Sequence, residues 1–232
     1  MVTKEQIKDP KLRILTVCVQ MFIEKGFKST TMLDIIREAD VSSGTFQNIF
    51  KTKDGVLLYL IDTMFKNQFT MARDMAGDSD NPVFVYAAET AIQFAFVEMN
   101  ENLREIYIEA YTQPQLAEHI YQKTSTELNK IFGRYNPAWV ESDYYESEIG
   151  SAGIMRSYIV KKCDKYFTLR KKINRFLDMA LKCYNVPNDD IEKAIAAVGK
   201  IDLEKTAKDV MNKLFTALEI AFGFKFKYNE EN

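Results

Sequence analysis

The sequence predicts an all-α protein: a small bundle of three short helices, followed by a larger helical domain. Breakers are scarce, with 9 Gly and 5 Pro in 232 residues, so long segments have nothing to interrupt a helix. Those segments repeat apolar residues at helical spacing. The one stretch with period two is the tail FGFKFKY, residues 222–228, which is expected to be extended and docked.

Each element follows in order. Lys11 to Lys25 carries Ile14, Leu15, Cys18, Phe22 and Ile23 on one face, and Gly26 ends the helix. Thr30 or Thr31 caps a second helix, expected to bury Leu33, Ile35, Ile36 and Ala39. Asp40 takes the turn, because Asp tolerates left-handed backbone. Val41 is expected to be buried, and Ser42 caps a third helix whose inward residues are Phe46, Ile49 and Phe50. A long fourth helix runs from Lys53 to about Met75. The stretch GDSDNP, residues 77–82, is the clearest punctuation. Beyond it helices are expected at 82–99, 102–112, 114–132, 141–162, 167–184, 188–198 and 202–221, about eleven in all, with a break at NPAW, residues 136–139. There is no internal repeat.

Composition excludes several classes. With 47% hydrophobic and 28% charged residues, the chain can bury a sizeable core without staples. Cys18, Cys163 and Cys183 are distant in sequence and lack C-x-x-C spacing, so they are expected to be small buried hydrophobes rather than a disulfide or metal framework. The N-terminus has no apolar signal core, and no stretch approaches a spanning helix, so a cytoplasmic protein with no membrane partner is expected. Net charge is −2. Residues 1–53 carry nine Lys and Arg against six acids, while the remainder carries 22 against 27. The basic excess thus lies in the first three helices.

The stretch TTMLDIIREADVSSGTFQNIFKTKD, residues 30–54, carries the chemistry. Two short helices meet at a tight turn, and the second begins with small polar residues, as in a helix-turn-helix. A recognition helix enters the major groove by its N-terminal end, where bulk would hold it off. Ser42, Ser43, Gly44 and Thr45 allow close approach, and free N–H groups of that first turn suit phosphate oxygens. Gln47 can pair with adenine, Thr45 can meet a thymine methyl, and Asn48 can bond a base or a phosphate. Lys51 and Lys53 follow as phosphate neutralisers. Thr30 and Thr31 begin the helix expected to cross the backbone. The plainer alternative is a loop and helix start with solvated lysines.

Residues 11–61 resemble the N-terminal domain of the TetR family of bacterial transcription regulators. The shared features are Phe22-Ile23-Glu24-Lys25-Gly26-Phe27, Thr30-Thr31, Asp34-Ile35, Ala39, Val41-Ser42, Gly44-Thr45, Phe50 and Lys53-Asp54. The resemblance implies a three-helix helix-turn-helix DNA-binding domain, drawn at residues 1–54, and a larger ligand-binding and dimerisation domain over 55–232. Three positions depart from the family: Asp40 stands where glycine is usual, Ile36 where alanine is common, and Gln47 where tyrosine is usual.

The larger domain has no comparable motif. Phe94, Met99, Tyr107, Tyr111, His119 and Tyr145 are candidates to line a ligand site, since aromatics and Met suit a largely apolar pocket; plain core is the alternative. Glu89, Glu98, Glu109 and Glu118 lie among them and could hold a cation or simply face solvent. Gly150, Gly153 and Ser157 make a small stripe, and Ile173, Phe176, Leu177 and Leu181 a wide apolar one. The resemblance places the dimer helices here, although both stripes could close the protomer's own core. The expected partners are a double-stranded DNA operator, a small-molecule effector and a second copy, with no cofactor and no metal. A helical interaction module that no longer reads DNA is the second reading. An enzyme built on His119, the single histidine, is the third, and it lacks partners at recognisable spacing.

Overall fold

The computed structural model describes residues 7–63 and 81–222. The later part of the fourth helix and the aromatic tail lie outside those residues, as do the side chains of Leu214, Leu218 and Ala221. All regular structure among the described residues is helical. The chain forms two compact units, Met1–Asp62 with Lys208–Asn232, and Thr63–Ala207.

In the smaller unit α1 (Pro10–Lys25) packs on α2 (Met32–Glu38) and α3 (Ser43–Phe50), and α4 begins at residue 53. Asp9 caps α1 by accepting the Lys11 N–H at 2.9 Å, with Pro10 in the first turn where no N–H is needed. Gly26 ends the helix at φ 88°, a value a side chain would resist. The core is Ile14, Leu15, Cys18, Phe22, Ile35, Phe46 and Val56. Leu33 was expected in it but is 72% exposed. On so short a helix only the Ile35 and Ala39 side faces α1, and Leu33 lies well round the axis from Ile35. Val41 is only half-buried. Burial pushes the Cys18 thiol up, whereas Cys163 and Cys183 are half-exposed rather than buried.

Among the described residues the larger unit contains α5 (Pro82–Met99), α6 (Glu101–Ala110), α7 (Pro114–Phe132), a 3-10 turn (Gly133–Tyr135), α8 (Glu141–Val160), α9 (Leu169–Cys183) and α10 (Asn188–Val198). α11 (Leu203–Phe222) continues from it into the C-terminal segment. α5 is apolar on every side and buried from Val83 to Val97 with few breaks, because α6, α7, α9 and α10 all pack on it. α8 lies on α6, α7 and α9. Phe132 stacks on Tyr184 at 4.5 Å, and Tyr86 meets both edge-on. No helix among the described residues is long and apolar enough to cross a membrane.

Candidate nucleic-acid interface

The start of α3 organises itself. Ser42 Oγ accepts the Thr45 N–H at 3.0 Å and shares a hydrogen bond with Thr45 Oγ1 at 2.8 Å. Phe46 and Phe50 turn inward, so Ser43, Gly44, Gln47 and Asn48 are left exposed and Thr45 half-exposed. Gly44 has ordinary helical backbone, and a Cβ added there would meet only Ser42 Oγ, at 3.8 Å. Neither backbone nor packing asks for glycine, which costs a helix about 1 kcal/mol relative to alanine. Among the described residues the space outward of Gly44 is open. The backbone N–H groups of Ser43 and Gly44, at the helix start, have no acceptor within the helix.

The turn before α3 is clamped from α1. Asp40 takes φ 49° and its carbonyl accepts Arg13 Nη2 at 2.9 Å. Arg13 Nη1 also donates to Ile7 O at 3.3 Å. One guanidinium thus ties the turn to α1 and fixes how α2 and α3 diverge.

The remaining expected contacts divide. Thr31 is exposed and caps α2, but its hydroxyl proton goes to Asp34 Oδ2 at 2.6 Å. The Thr31 bonds, backed by Arg37, hold the Asp34 carboxyl below its usual range. Thr31 therefore has no proton left for a phosphate. Thr30 is 0% exposed and donates to Gly26 O at 2.8 Å, so it closes the loop after α1 instead of reaching the surface. Lys53 Nζ donates to Phe27 O at 2.6 Å and Thr30 O at 2.8 Å and lies over the Phe27 ring. Its charge is committed to a carbonyl cluster, and it staples that loop to the start of α4. Lys51 is exposed, with left-handed backbone at φ 63° ending α3.

The interior of the larger unit is more polar than aromatic spacing suggested. Phe94 is core, edge-on to Phe176 at 5.2 Å, and Met99 is 40% exposed at the end of α5. Tyr107 and Tyr111 are half-buried, and burial raises both hydroxyls above their usual range. His119 is half-buried; Tyr145 is half-buried and donates to Glu118 at 2.8 Å. Two buried carboxyls join the tyrosines. Glu148 accepts from Ser151 Oγ at 2.8 Å and Tyr184 OH at 3.0 Å, and Glu89 accepts from the Gln93 amide. Burial, reinforced by each other's charge at Glu89, pushes them up, to about 7 for Glu148 and about 8 for Glu89. Glu148 was not among the sequence candidates; it falls with Tyr144, Ala152, Met155 and Ile159 on one buried stripe of α8, whose helical spacing is the signal that could have found it.

The expected dimer surface also divides. Ile173, Phe176, Leu177 and Leu181 are fully buried within the protomer, because that side of α9 packs on α5, α8 and α10. Gly150, Gly153 and Ser157 are exposed, between Ile149 and Val160, with Met179 of α9 also exposed and touched by the Tyr158 hydroxyl. A Cβ at either glycine would meet nothing within 4 Å.

Comparison with known proteins bears on the first of these regions most directly. Residues 14–60 match the model of the N-terminal domain of bacterial regulatory proteins of the tetR family. YuxN of Bacillus subtilis (strain 168), an uncharacterised HTH-type transcriptional regulator, is 24% identical over 88 residues, 38% of this chain and 30% of that protein. YerO of the same organism, described likewise, is 24% identical over 164 residues, 66% of this chain and 56% of that protein. HbdR of Aromatoleum sp. (strain CIB), an HTH-type transcriptional regulator, is 38% identical over 60 residues, 23% of this chain and 26% of that protein. The chain thus spans about half or less of the curated relatives it matches. In fold it is similar to RolR, solved with resorcinol, at a TM-score of 0.60 and 15% identity, covering 85% of this chain and 95% of that one.

Proposed function

We propose that the chain, whose residues 14–60 match the N-terminal domain model of the bacterial regulatory proteins of the tetR family, is a homodimeric DNA-binding repressor, released from a palindromic operator by a small ligand with a largely apolar body. The observation that carries DNA readout is Gly44, whose missing side chain opens space only toward the outside. Ser43, Gly44, Thr45, Gln47 and Asn48 then approach base edges. Ser42 serves by shaping the helix start, and Lys51 by its charge near phosphates. Thr30 and Lys53 act by building the loop that α2 starts from, and Thr31 by capping it.

Alanine at both Thr45 and Gln47 is expected to lower affinity for the operator by 100-fold or more, each lost base contact being worth about 1–3 kcal/mol. Weak, salt-dependent binding to random DNA is retained. Gel shift with DNA flanking the gene reads this out. A wild-type protein that prefers no sequence at any salt concentration points instead to an interaction module, and sinks the proposal.

Two-fold operators need paired readers roughly 34 Å apart. The α8 face of Ile149, Gly150, Gly153, Ser157 and Val160 supports that pairing. Two glycines there weaken a helix that nothing inside the protomer requires to be thin. Gly153→Arg is expected to convert the dimer to a monomer in sedimentation velocity, with the helical signal kept. A variant that sediments with the same mass as wild type excludes this face.

A further inference from the structure

Positive charge in the larger unit is concentrated on the connection between α8 and α9 and the first half of α9. Residues 161–175 hold seven of the 22 Lys and Arg beyond residue 53, and one of the 27 acids. Two of the seven serve the interior: Lys172 is buried against Glu98, and Arg170 donates to Val198 O at 2.9 Å. Lys161, Lys162, Lys165, Lys171 and Arg175 are exposed. Lys161 and Lys162 pair with Asp164 and Glu101 at 2.8 Å each, but these are surface pairs and hold their charges weakly. Lys165 lies over the Tyr166 ring, 4.8 Å from its centre.

The connection is built to hold one shape. Asp164 Oδ1 accepts the N–H groups of Tyr166 and Phe167, both at 2.8 Å, and the Asp164 N–H donates to Phe167 O at 3.1 Å. The Cys163 N–H donates to Glu98 at 3.2 Å, and the Lys161 carbonyl accepts from Lys172. Phe167 turns to the Tyr158 ring at 5.7 Å, whereas Tyr166 is left 74% exposed.

Stability does not ask for this arrangement. Like charges on one short segment repel. The first turn of α9 carries Arg170, Lys171 and Lys172 and no acid, although cations are favoured at the other end of a helix. The cluster does suit an extended anion with regularly spaced charge. We propose that the α8–α9 connection and the start of α9 bind the phosphate backbone of duplex DNA without reading its sequence, a contact outside the helix-turn-helix. The inference rests on the chain being a DNA-binding protein and adds a second surface to that activity. Lysines and a tyrosine hydroxyl donate well to phosphate oxygens, and a segment already ordered loses little freedom on binding. An anionic membrane fits less well. Val160 and Tyr166 are the exposed large hydrophobics of this segment, too few to enter a bilayer.

Fluorescence anisotropy of the full chain with a labelled random-sequence duplex, over a range of salt concentrations, tests this. Lys162→Gln/Lys165→Gln/Lys171→Gln is expected to lower the slope of log affinity against log salt by roughly 2–3, at about 0.9 for each phosphate contact. Binding at low salt weakens about 10-fold or more, equally for random and operator DNA. A thermal melt checks that the variant folds. Lys130→Gln/Lys182→Gln/Lys193→Gln removes the same charge from exposed positions elsewhere in the larger unit and is expected to leave the slope unchanged. An unchanged slope in the folded loop variant, or an equal fall in both variants, overturns the assignment. Binding to phosphatidylglycerol vesicles that disappears in the loop variant, with its DNA slope still at the wild-type value, gives the loop to a membrane instead. The two readings fail separately. A wild type that prefers no sequence, yet loses slope with the loop lysines, removes the repressor and keeps this contact. Operator preference with a slope that the loop does not change removes this contact and leaves the repressor intact.

Discussion

Replacing Glu98 by alanine is expected to cost the larger unit about 3–5 kcal/mol, the usual cost of removing one partner from a buried ion pair. Lys172 is 0% exposed, and its ammonium lies 2.6 Å from Glu98 Oε1. Its other bond goes to the Lys161 carbonyl. Arg104, almost as buried, reaches both Glu98 oxygens at 3.1 Å and donates to Ile159 O at 3.0 Å, and the Cys163 N–H adds a bond at 3.2 Å. Burial alone would raise the Glu98 carboxyl; the bonds from Arg104, Lys172 and Cys163 overcome it and hold the group at about 2. One carboxylate therefore joins the end of α5, the start of α6, the end of α8 and α9. Removing it strands Lys172 in the interior and leaves Arg104 only the Glu101 carboxylate, at 3.4 Å. Urea unfolding followed at Trp139, the single tryptophan, measures the loss. Adding Lys172→Met to Glu98→Ala is expected to recover part of it, because one stranded charge is gone. A single-variant cost below about 1 kcal/mol, or strict additivity in the pair, would show that the cluster is not a unit.

The second large effect is on pH dependence, and it has the opposite sign. Glu89 and Glu148 stay protonated in the folded chain up to about 8 and about 7, while in the unfolded chain they ionise near 4.5. Between those limits the folded state binds more protons, so stability falls as pH rises. The loss is complete above about pH 8. Glu98 and Asp164, both held at about 2, act the other way. Their contribution is present above about pH 4.5 and lost only in acid, so it is constant across this window. Melting temperatures of wild type and of the Glu89→Gln/Glu148→Gln variant, measured from pH 5 to 8.5, isolate the effect by difference. The variant's curve is expected to be the flatter, and to lie above wild type at the alkaline end. Parallel curves would mean that the carboxyls are solvated.

The helix-turn-helix was legible because its determinants are local. A glycine after α1, a cap at Ser42, phenylalanines at 46 and 50 and small residues between them are read within one turn of each other. The same local reading misassigned Leu33, Thr30 and Lys53. Each looks like its neighbours along the chain, and only α1 and the loop after it decide which one turns inward. In the larger domain, helical spacing located the helices and marked Ile173, Phe176, Leu177 and Leu181 as a buried face. It could not say what covers that face. A stripe of apolar residues is satisfied equally by a partner subunit or by α5, and here α5, α8 and α10 arrive first.

By itself, then, the amino-acid order determined the helical class, the approximate places of the described helices and the slender front of α3, since propensity, capping and periodicity act over a few residues. The tertiary arrangement decided the rest. It brought Glu148 within electrostatic reach of Glu89 across 59 positions of chain, set Glu98 between Lys172 and Arg104, and turned one stripe of α9 inward while leaving the glycines of α8 bare. Charge and burial depend on distance through space, and in a chain that folds back on itself that distance is set by which helices pack together.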